Sequence, residues 1–397
     1  MNQSYRWVIF ALLVAVTAVG LMTWAAVFPL LNLWVKDLGI SHTQGGILFA
    51  LYYIPGMLVA LPGGWLFDRF PVRRVLLLSW MFLLAGAAVM ALAPSFTLLC
   101  AGRLLLSIGL NVHHVGAPKL LSAWFDGRKE LGLVMGLYTW SYTIGIFASL
   151  SALGKIGEAH GWRAAMYLVV LAVFLALLAL ALLVRAAPQP SPEQRDRKLP
   201  FRPQRLGLAL WLVAVMYLFY NAGSDSYYTF TPDYLVRRGY GVGYASYLVG
   251  TYAWIAFCLK PLFASFLNRR TAPYFVGFGS TAAIASFVLL LQPVLHPYLV
   301  STLVGISLAL TMPSLLALPA LLVANAQRGQ AYGLCQLFYS MGFFVQPLIG
   351  FSIDKTGQYF WAYLLMSLCC GIALASAVLL RSLHVHEPKH AALALAD

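Results

Sequence analysis

Long apolar runs alternate with short polar breaks along the whole chain. A helix needs about 20 apolar residues to cross the hydrocarbon core of a bilayer. Runs that meet this fall at approximately 8–33, 44–67, 74–93, 97–123, 131–153 and 163–185, and then at 206–235, 243–266, 273–293, 297–322, 330–352 and 359–381. Between the sixth and seventh lies a polar, proline-rich stretch, 186–205, with Arg195, Asp196, Arg197, Lys198, Arg202 and Arg205. The pattern predicts an all-α polytopic membrane protein: twelve transmembrane helices in two pseudo-symmetric six-helix bundles. Residues 1–185 form the first bundle, 186–205 a cytoplasmic linker, and 206–397 the second bundle with a short tail. Landmarks recur in the same order. Gly64-Trp65-Leu66-Phe67-Asp68-Arg69 and Phe266-Leu267-Asn268-Arg269-Arg270 each follow a second span, with Asp68 and Asn268 200 positions apart. Pro29 and Pro232 are 203 apart. Duplicated bundles of this kind build a site at the bilayer midplane.

Composition narrows the class. The chain of 397 residues is 61% hydrophobic and 10% charged, against about 25% charged in a soluble domain. The net charge of +14 sits in short loops, which points to membrane topology rather than nucleic acid. With the N-terminus inside, 17 Lys and Arg residues fall on the inner side and 6 on the outer. The positive-inside rule therefore predicts a multi-pass protein of the cell inner membrane with both termini cytoplasmic. The first run is too long for a signal-peptide core and eleven more follow, so it is read as a retained helix. Cys100, Cys258, Cys335, Cys369 and Cys370 lie in apolar runs without metal-ligand spacing. The expectation is free thiols, no metal and no cofactor.

Gly64-x-Leu66-x-Asp68-Arg69 followed by Arg73-Arg74, between spans 2 and 3, resembles the signature loop of the major facilitator superfamily. Gly102-Arg103-Leu104 with Gly109, Gly161-Trp162-Arg163, and Gly350-x3-Asp354-x2-Gly357 are also similar to patterns of that superfamily. Pro71-Val72 departs from the signature loop, and span 5 lacks the Gly-Pro motif of drug/proton antiporters. The resemblance implies a conformational latch: Asp68 as acceptor near the N-terminus of span 11, with Gly64, Arg69, Arg73 and Arg128 around it. A carboxylate is favourable at a helix N-terminus, whereas a solvated loop obeying the positive-inside rule does not need one. Asp68→Asn is expected to impair transport while largely sparing substrate binding, and unchanged transport rates would remove the latch.

Ionisable residues inside spans carry a functional hypothesis by default. In span 4, Arg103 and His114 are eleven positions apart, so they share a helix face to within about 20°. His113 points roughly 100° away from His114, which excludes chelation of one metal by the pair. Span 7 places Tyr217, Asn221, Ser224, Asp225 and Tyr228 on one face. Lipid does not tolerate such a face, so it lines a cavity or packs on a polar neighbour. Lys260 in span 8 either snorkels to the inner surface or anchors an anion. Gln336 and Tyr339 give span 11 a mixed face.

Interior cations outnumber the one carboxylate of the span 7 stripe, and fixed positive charge in a low-dielectric cavity attracts anions. The expected function is alternating-access transport of a small organic anion, monocarboxylate-like, with Arg103, His114, Tyr217, Asn221, Lys260, Gln336 and Tyr339 as substrate contacts. Asp225 and His114 are the candidate proton-coupling groups. The alternative is a proton-coupled exporter of drugs or amphipathic metabolites, and after it a non-transporting membrane sensor. No nucleophile with its base, phosphate-cradling loop or nucleotide motif points to an enzyme. The expected partners are the substrate, a proton and the bilayer, and the expected state is a monomer.

Overall fold

The computed structural model describes residues 5–58, 69–125, 130–185, 207–292, 295–323 and 328–385. These form sixteen α-helices and one π-helical turn, with residues 53–58 also helical and no strand among the described residues. In the first sequence half they are α1 (Tyr5–Trp24), α2 (Val27–Leu38), α3 (His42–Leu51), α4 (Val72–Ala91), α5 (Phe96–Trp124), α6 (Leu131–Tyr138), α7 (Trp140–Ala148), the π turn Ser149–Leu153, α8 (Gly154–His160) and α9 (Trp162–Leu183). In the second they are α10 (Leu208–Arg237), α11 (Val242–Ala264), α12 (Ala272–Leu290), α13 (Pro297–Leu322), α14 (Arg328–Gly342), α15 (Val345–Thr356) and α16 (Tyr359–Val385). Among the described residues, ten segments are long and apolar enough to cross a membrane. The second predicted span runs into residues outside the described set, and the fifth is divided among α6, α7, the π turn and α8.

Three helical stretches run past the ends set by hydropathy. Span 1 continues to Leu38, span 5 to His160 and span 11 to Thr356, instead of 33, 153 and 352. The added residues carry Lys36 and Asp37, Lys155 and Glu158, and Asp354 and Lys355. They are too polar for hydrocarbon yet keep the helix beyond it. Each extension then stops at a glycine of positive φ: Gly39 (63°), Gly161 (84°) and Gly357 (68°), with Gly239 (93°) closing α10 in the same way. These are all the positive-φ residues among those described, and a left-handed terminal glycine is how many helices end. They fall in two pairs, Gly39 with Gly239 and Gly161 with Gly357, offset by 200 and 196 positions.

Contacts group the chain into two units. One gathers Met1–Arg197, Tyr228–Trp254 and Gln346–Tyr359; the other gathers Lys198–Tyr227, Ile255–Val345 and Phe360–Asp397. All four glycine caps lie in the first unit. Within it, α4 and α5 touch through small residues. A Cβ on Gly86 would lie 2.3 Å from the Leu106 backbone nitrogen, and one on Gly109 2.3 Å from the Ser79 carbonyl oxygen. Such contacts replace the hydrophobic drive that lipid removes. The α9 window has the highest mean hydropathy, 3.0, and is only 28% buried, as a lipid-facing helix requires. In the second unit, Tyr220 donates to Ser307 Oγ (2.8 Å), which donates to the Gly279 carbonyl (2.6 Å). That relay ties α10, α13 and α12 together.

Candidate functional site

The densest polar cluster of the first unit sits at its glycine-capped ends. His42 opens α3 and is 4% exposed. Its Nε2 lies 2.8 Å from Asp233 Oδ2 on α10, and its Nδ1 lies 2.8 Å from Asp354 Oδ1 on α15. Asp233, 2% exposed, also accepts from the Asn32 amide and the Tyr359 hydroxyl. Arg237 stands one turn beyond Asp233, with Nε 3.6 Å from its Oδ2 and the guanidinium over the Tyr359 ring.

Two carboxylates cap helices across the sequence halves. Asp354 accepts from the backbone N–H of His42 (2.9 Å) and of Thr43 (2.7 Å), and from the Thr43 hydroxyl (2.6 Å). Ser41 and Gln44 complete the same helix start with a reciprocal capping box. Glu158 on α8 does the equivalent for α11, accepting from Val242 N (3.0 Å) and Gly243 N (2.8 Å). Each unpaired N-terminal donor set thus receives an anion from the other half, where the helix dipole favours one. Glycine lets the backbones come this close: a Cβ on Gly46 would lie 2.5 Å from Gln346 O, and one on Gly350 2.2 Å from His42 O. The π turn packs likewise, since a Cβ on Gly250 would lie 3.0 Å from Leu150 Cβ.

Burial alone would push the His42 imidazole down. The hydrogen bonds and charges of Asp233 and Asp354 outweigh burial and the opposing charge of Arg237, and hold it above its ordinary value of 6.5. His42 lies outside the apolar run 44–67.

Sequence reasoning did not single out this cluster. The signal was present as Gly154-x3-Glu158-x2-Gly161 and Gly350-x3-Asp354-x2-Gly357, one pattern repeated 196 residues apart.

Arg103 sits in the middle of the first unit and is fully buried. Its Nε donates to Leu48 O (3.0 Å) and its Nη1 to Trp24 O (2.8 Å), with the guanidinium over the Tyr52 ring. Both carbonyls stand at helix irregularities. Pro29 cannot donate, and Phe28 N–H turns to Ala25 O, at the break between α1 and α2. Tyr52 N–H turns to Phe49 O where α3 ends. Arg103 therefore satisfies acceptors exposed by two broken helices. Its Nη2 is buried without a hydrogen-bond partner.

The two adjacent histidines differ. Trp80 Nε1–H donates to His113 Nδ1 (3.0 Å), and His113 Nε2 meets Thr17 Oγ1 (2.8 Å), which in turn meets the Tyr138 hydroxyl (3.0 Å). An indole nitrogen only donates, so Nδ1 is an acceptor and this ring is neutral. His114 stacks on Tyr142 (5.6 Å, 27°), and its Nε2 has no hydrogen-bond partner.

The remaining predicted contacts belong to the second unit. Tyr217, Asn221 and Asp225 are buried at 7%, 2% and 3% exposure, and the Asn221 amide donates to Tyr217 O (2.7 Å). Lys260 is half-buried and Gln336 exposed; Tyr339 is half-buried against Phe343. Gly64, Asp68 and Arg128 of the expected latch lie outside the described residues. Arg69 is exposed, and Arg73 donates to Ala181 O (2.7 Å) at the end of α9. Among the described residues, no three His, Cys, Asp or Glu side chains group to hold a metal.

Comparison with known proteins agrees with this architecture. The nitrite extrusion protein of Bacillus subtilis (strain 168) is 27% identical over 370 residues, covering 91% of this chain and 90% of that protein. The lysosomal dipeptide transporter MFSD1 of Bos taurus is 24% identical over 368 residues, covering 87% and 78%. A bacterial homologue of the human lysosomal transporter Spinster, solved inward-facing and unoccupied, matches with a TM-score of 0.75 at 18% identity, over 96% of this chain and 95% of that one; it shares the fold. The Major Facilitator Superfamily model matches residues 13–347, and with that match the chain belongs to the major facilitator superfamily.

Proposed function

We propose that this protein is a secondary transporter that carries a small organic anion across the cell inner membrane by alternating access, coupled to a proton. The termini are cytoplasmic, and the glycine-capped helix ends then face outward. The observation that carries the anion is Arg103: a buried guanidinium with two N–H groups on backbone carbonyls and Nη2 without a protein acceptor. A buried charged donor left unpaired is costly, and an anion supplies the missing acceptor. Lys260 adds a second interior cation. In the second unit Tyr217, Asn221, Gln336 and Tyr339 are the proposed polar contacts and Asp225 the proposed titrating group; in the first, His114, with its unpaired Nε2, is the other titrating group. The relative named for nitrite is one whose cargo is a small anion.

The test is thermal stability of the detergent-purified protein against small carboxylates and other anions, and against cationic and neutral amphiphiles. Anions should raise the melting temperature, more strongly at lower pH. Lys260→Ala should weaken the effective anion by roughly tenfold or more, the worth of one hydrogen bond to a charged group. A response only to cationic or neutral amphiphiles would replace this reading with drug export.

A further inference from the structure

We propose that His42 is the binding site of a proton that closes the outer ends, so that closure takes up one proton and outward opening releases it. The inference rests on the alternating-access reading and adds a residue that does not touch Arg103 or the span 7 stripe.

The protonation state follows from acceptors. Nε2 and Nδ1 each face a carboxylate oxygen at 2.8 Å. An ionised carboxylate only accepts, and a neutral imidazole has a single N–H. One ring nitrogen would then face an oxygen with no hydrogen between them. A proton on Asp233 is disfavoured instead, because the Asn32 amide and the Tyr359 hydroxyl both donate to that carboxylate and Arg237 lies beside it, which favours its charged form. Asp354 likewise accepts from two backbone N–H groups and the Thr43 hydroxyl. The arrangement is satisfied by an imidazolium donating to both sides.

The groups facing His42 are few. Asp233 and Arg237 come from α10, Asp354 from α15 and Tyr359 from α16, while Asn32 of α2 reaches only Asp233. Arg237 opposes protonation: its Nη2, which only donates, stands 3.2 Å from Nε2 and competes for that nitrogen, and the shorter 2.8 Å contact to Asp233 Oδ2 is the one a ring N–H fills. Lys355, next to Asp354, turns to the Phe351 ring instead. With the proton, two cations balance two carboxylates; without it, a net negative charge is left around the buried His42–Asp233 pair, with Asp354 and Arg237 exposed beside it. Both acceptors come from the second sequence half, while His42 comes from the first. Separating the halves therefore removes both partners at once and returns the ring to solvent. His113 is the contrast: buried just as deeply, its Nδ1 accepts from an indole, so the ring holds a single N–H and not the second proton of an imidazolium.

The sign is fixed by linkage. The closed-state pKa is raised, so closure is fully favoured below the open-state value. It is lost as the pH rises through the closed-state value, with the closed-to-open ratio falling about tenfold per pH unit between the two. The experiment uses the full chain in nanodiscs with its cysteines replaced and labels at two exposed outer positions, Asp37 and Gln358. Pulsed dipolar distances are read from about pH 5 to about pH 9, the range in which histidine titrates. The short-distance population should dominate at low pH and give way as pH rises. In His42→Gln the response should shrink to less than about twofold over the same range. Asp233→Asn, which keeps the histidine and removes one acceptor, should move the midpoint to lower pH. The same midpoint and amplitude in His42→Gln overturns the assignment, as does an unmoved midpoint in Asp233→Asn should the first variant not fold. A distance fixed at every pH and with every ligand would overturn both this inference and the alternating-access reading beneath it.

Discussion

Gly46→Leu should abolish net transport while leaving the protein inserted and monodisperse. The contact between α3 and α15 is backbone against backbone. A Cβ on Gly46 would come within 2.5 Å of Gln346 O and 2.7 Å of Pro347 N. No side-chain rotation relieves such a clash, because the obstructing atoms are main chain. Overpacking costs up to about 3 kcal/mol or more, and about 1.4 kcal/mol is tenfold in a population. The closed arrangement of the outer ends should therefore fall by on the order of 100-fold, while the arrangement with those ends apart has no reason to suffer. A transporter held on one side binds but does not turn over. Two measurements check this: uptake into proteoliposomes of the anion found by thermal shift, and the Asp37–Gln358 label distance, expected to lengthen at every pH. Gly371→Leu in α16 is the control, since nothing lies within 4 Å of the added Cβ. It should transport normally. Full transport by Gly46→Leu would mean that α3 and α15 do not need to touch during the cycle.

Most of this architecture can be read before any coordinates. Length and apolarity give the spans, because lipid forces every backbone group into an intrahelical bond. The repeated landmarks give the duplication. What hydropathy misread were the ends. It treated Lys36, Glu158 and Asp354 as signs that a span was over, when they ride on helices that continue, and Glu158 and Asp354 cap other helices there. Periodicity found the stripe of Tyr217, Asn221 and Asp225, and all three are buried. It could not find His42 with Asp233, because those residues are 191 apart and meet only through the fold. A paired motif with glutamate in one copy and aspartate in the other, Gly154-x3-Glu158 against Gly350-x3-Asp354, was the legible trace. Arg103 was visible as an interior charge. That it mends the broken helices of spans 1 and 2 was not, since a backbone carbonyl set free by Pro29 leaves no mark in a sequence until the chain is folded.

The same backbone role makes Arg103 the position where a conservative change should do the most damage. If Arg103 mattered only as a positive charge, Arg103→Lys would be tolerated. Lysine has one ammonium at the end of a flexible stem, whereas arginine presents several N–H groups in a fixed planar fork. Here Nε and Nη1 reach two different helices, at Leu48 O and Trp24 O, while the guanidinium lies over the Tyr52 ring, 5.4 Å from its centroid. One ammonium cannot hold that geometry. Arg103→Lys should leave at least one carbonyl unpaired and Arg103→Ala both. At about 1–3 kcal/mol for each buried group, Arg103→Ala loses roughly 2–6 kcal/mol and Arg103→Lys about half of that or more. Thermal unfolding without ligand separates this from substrate binding. Both variants should melt well below the parent protein before any anion is added, Arg103→Ala the lower of the two. The anion-induced rise in melting temperature should also shrink in both, because Nη2 is positioned by the two bonds that hold the fork. A ligand-free Arg103→Lys that melts with the parent would show that the backbone bonds carry no weight, and the charge alone would then be what span 4 supplies.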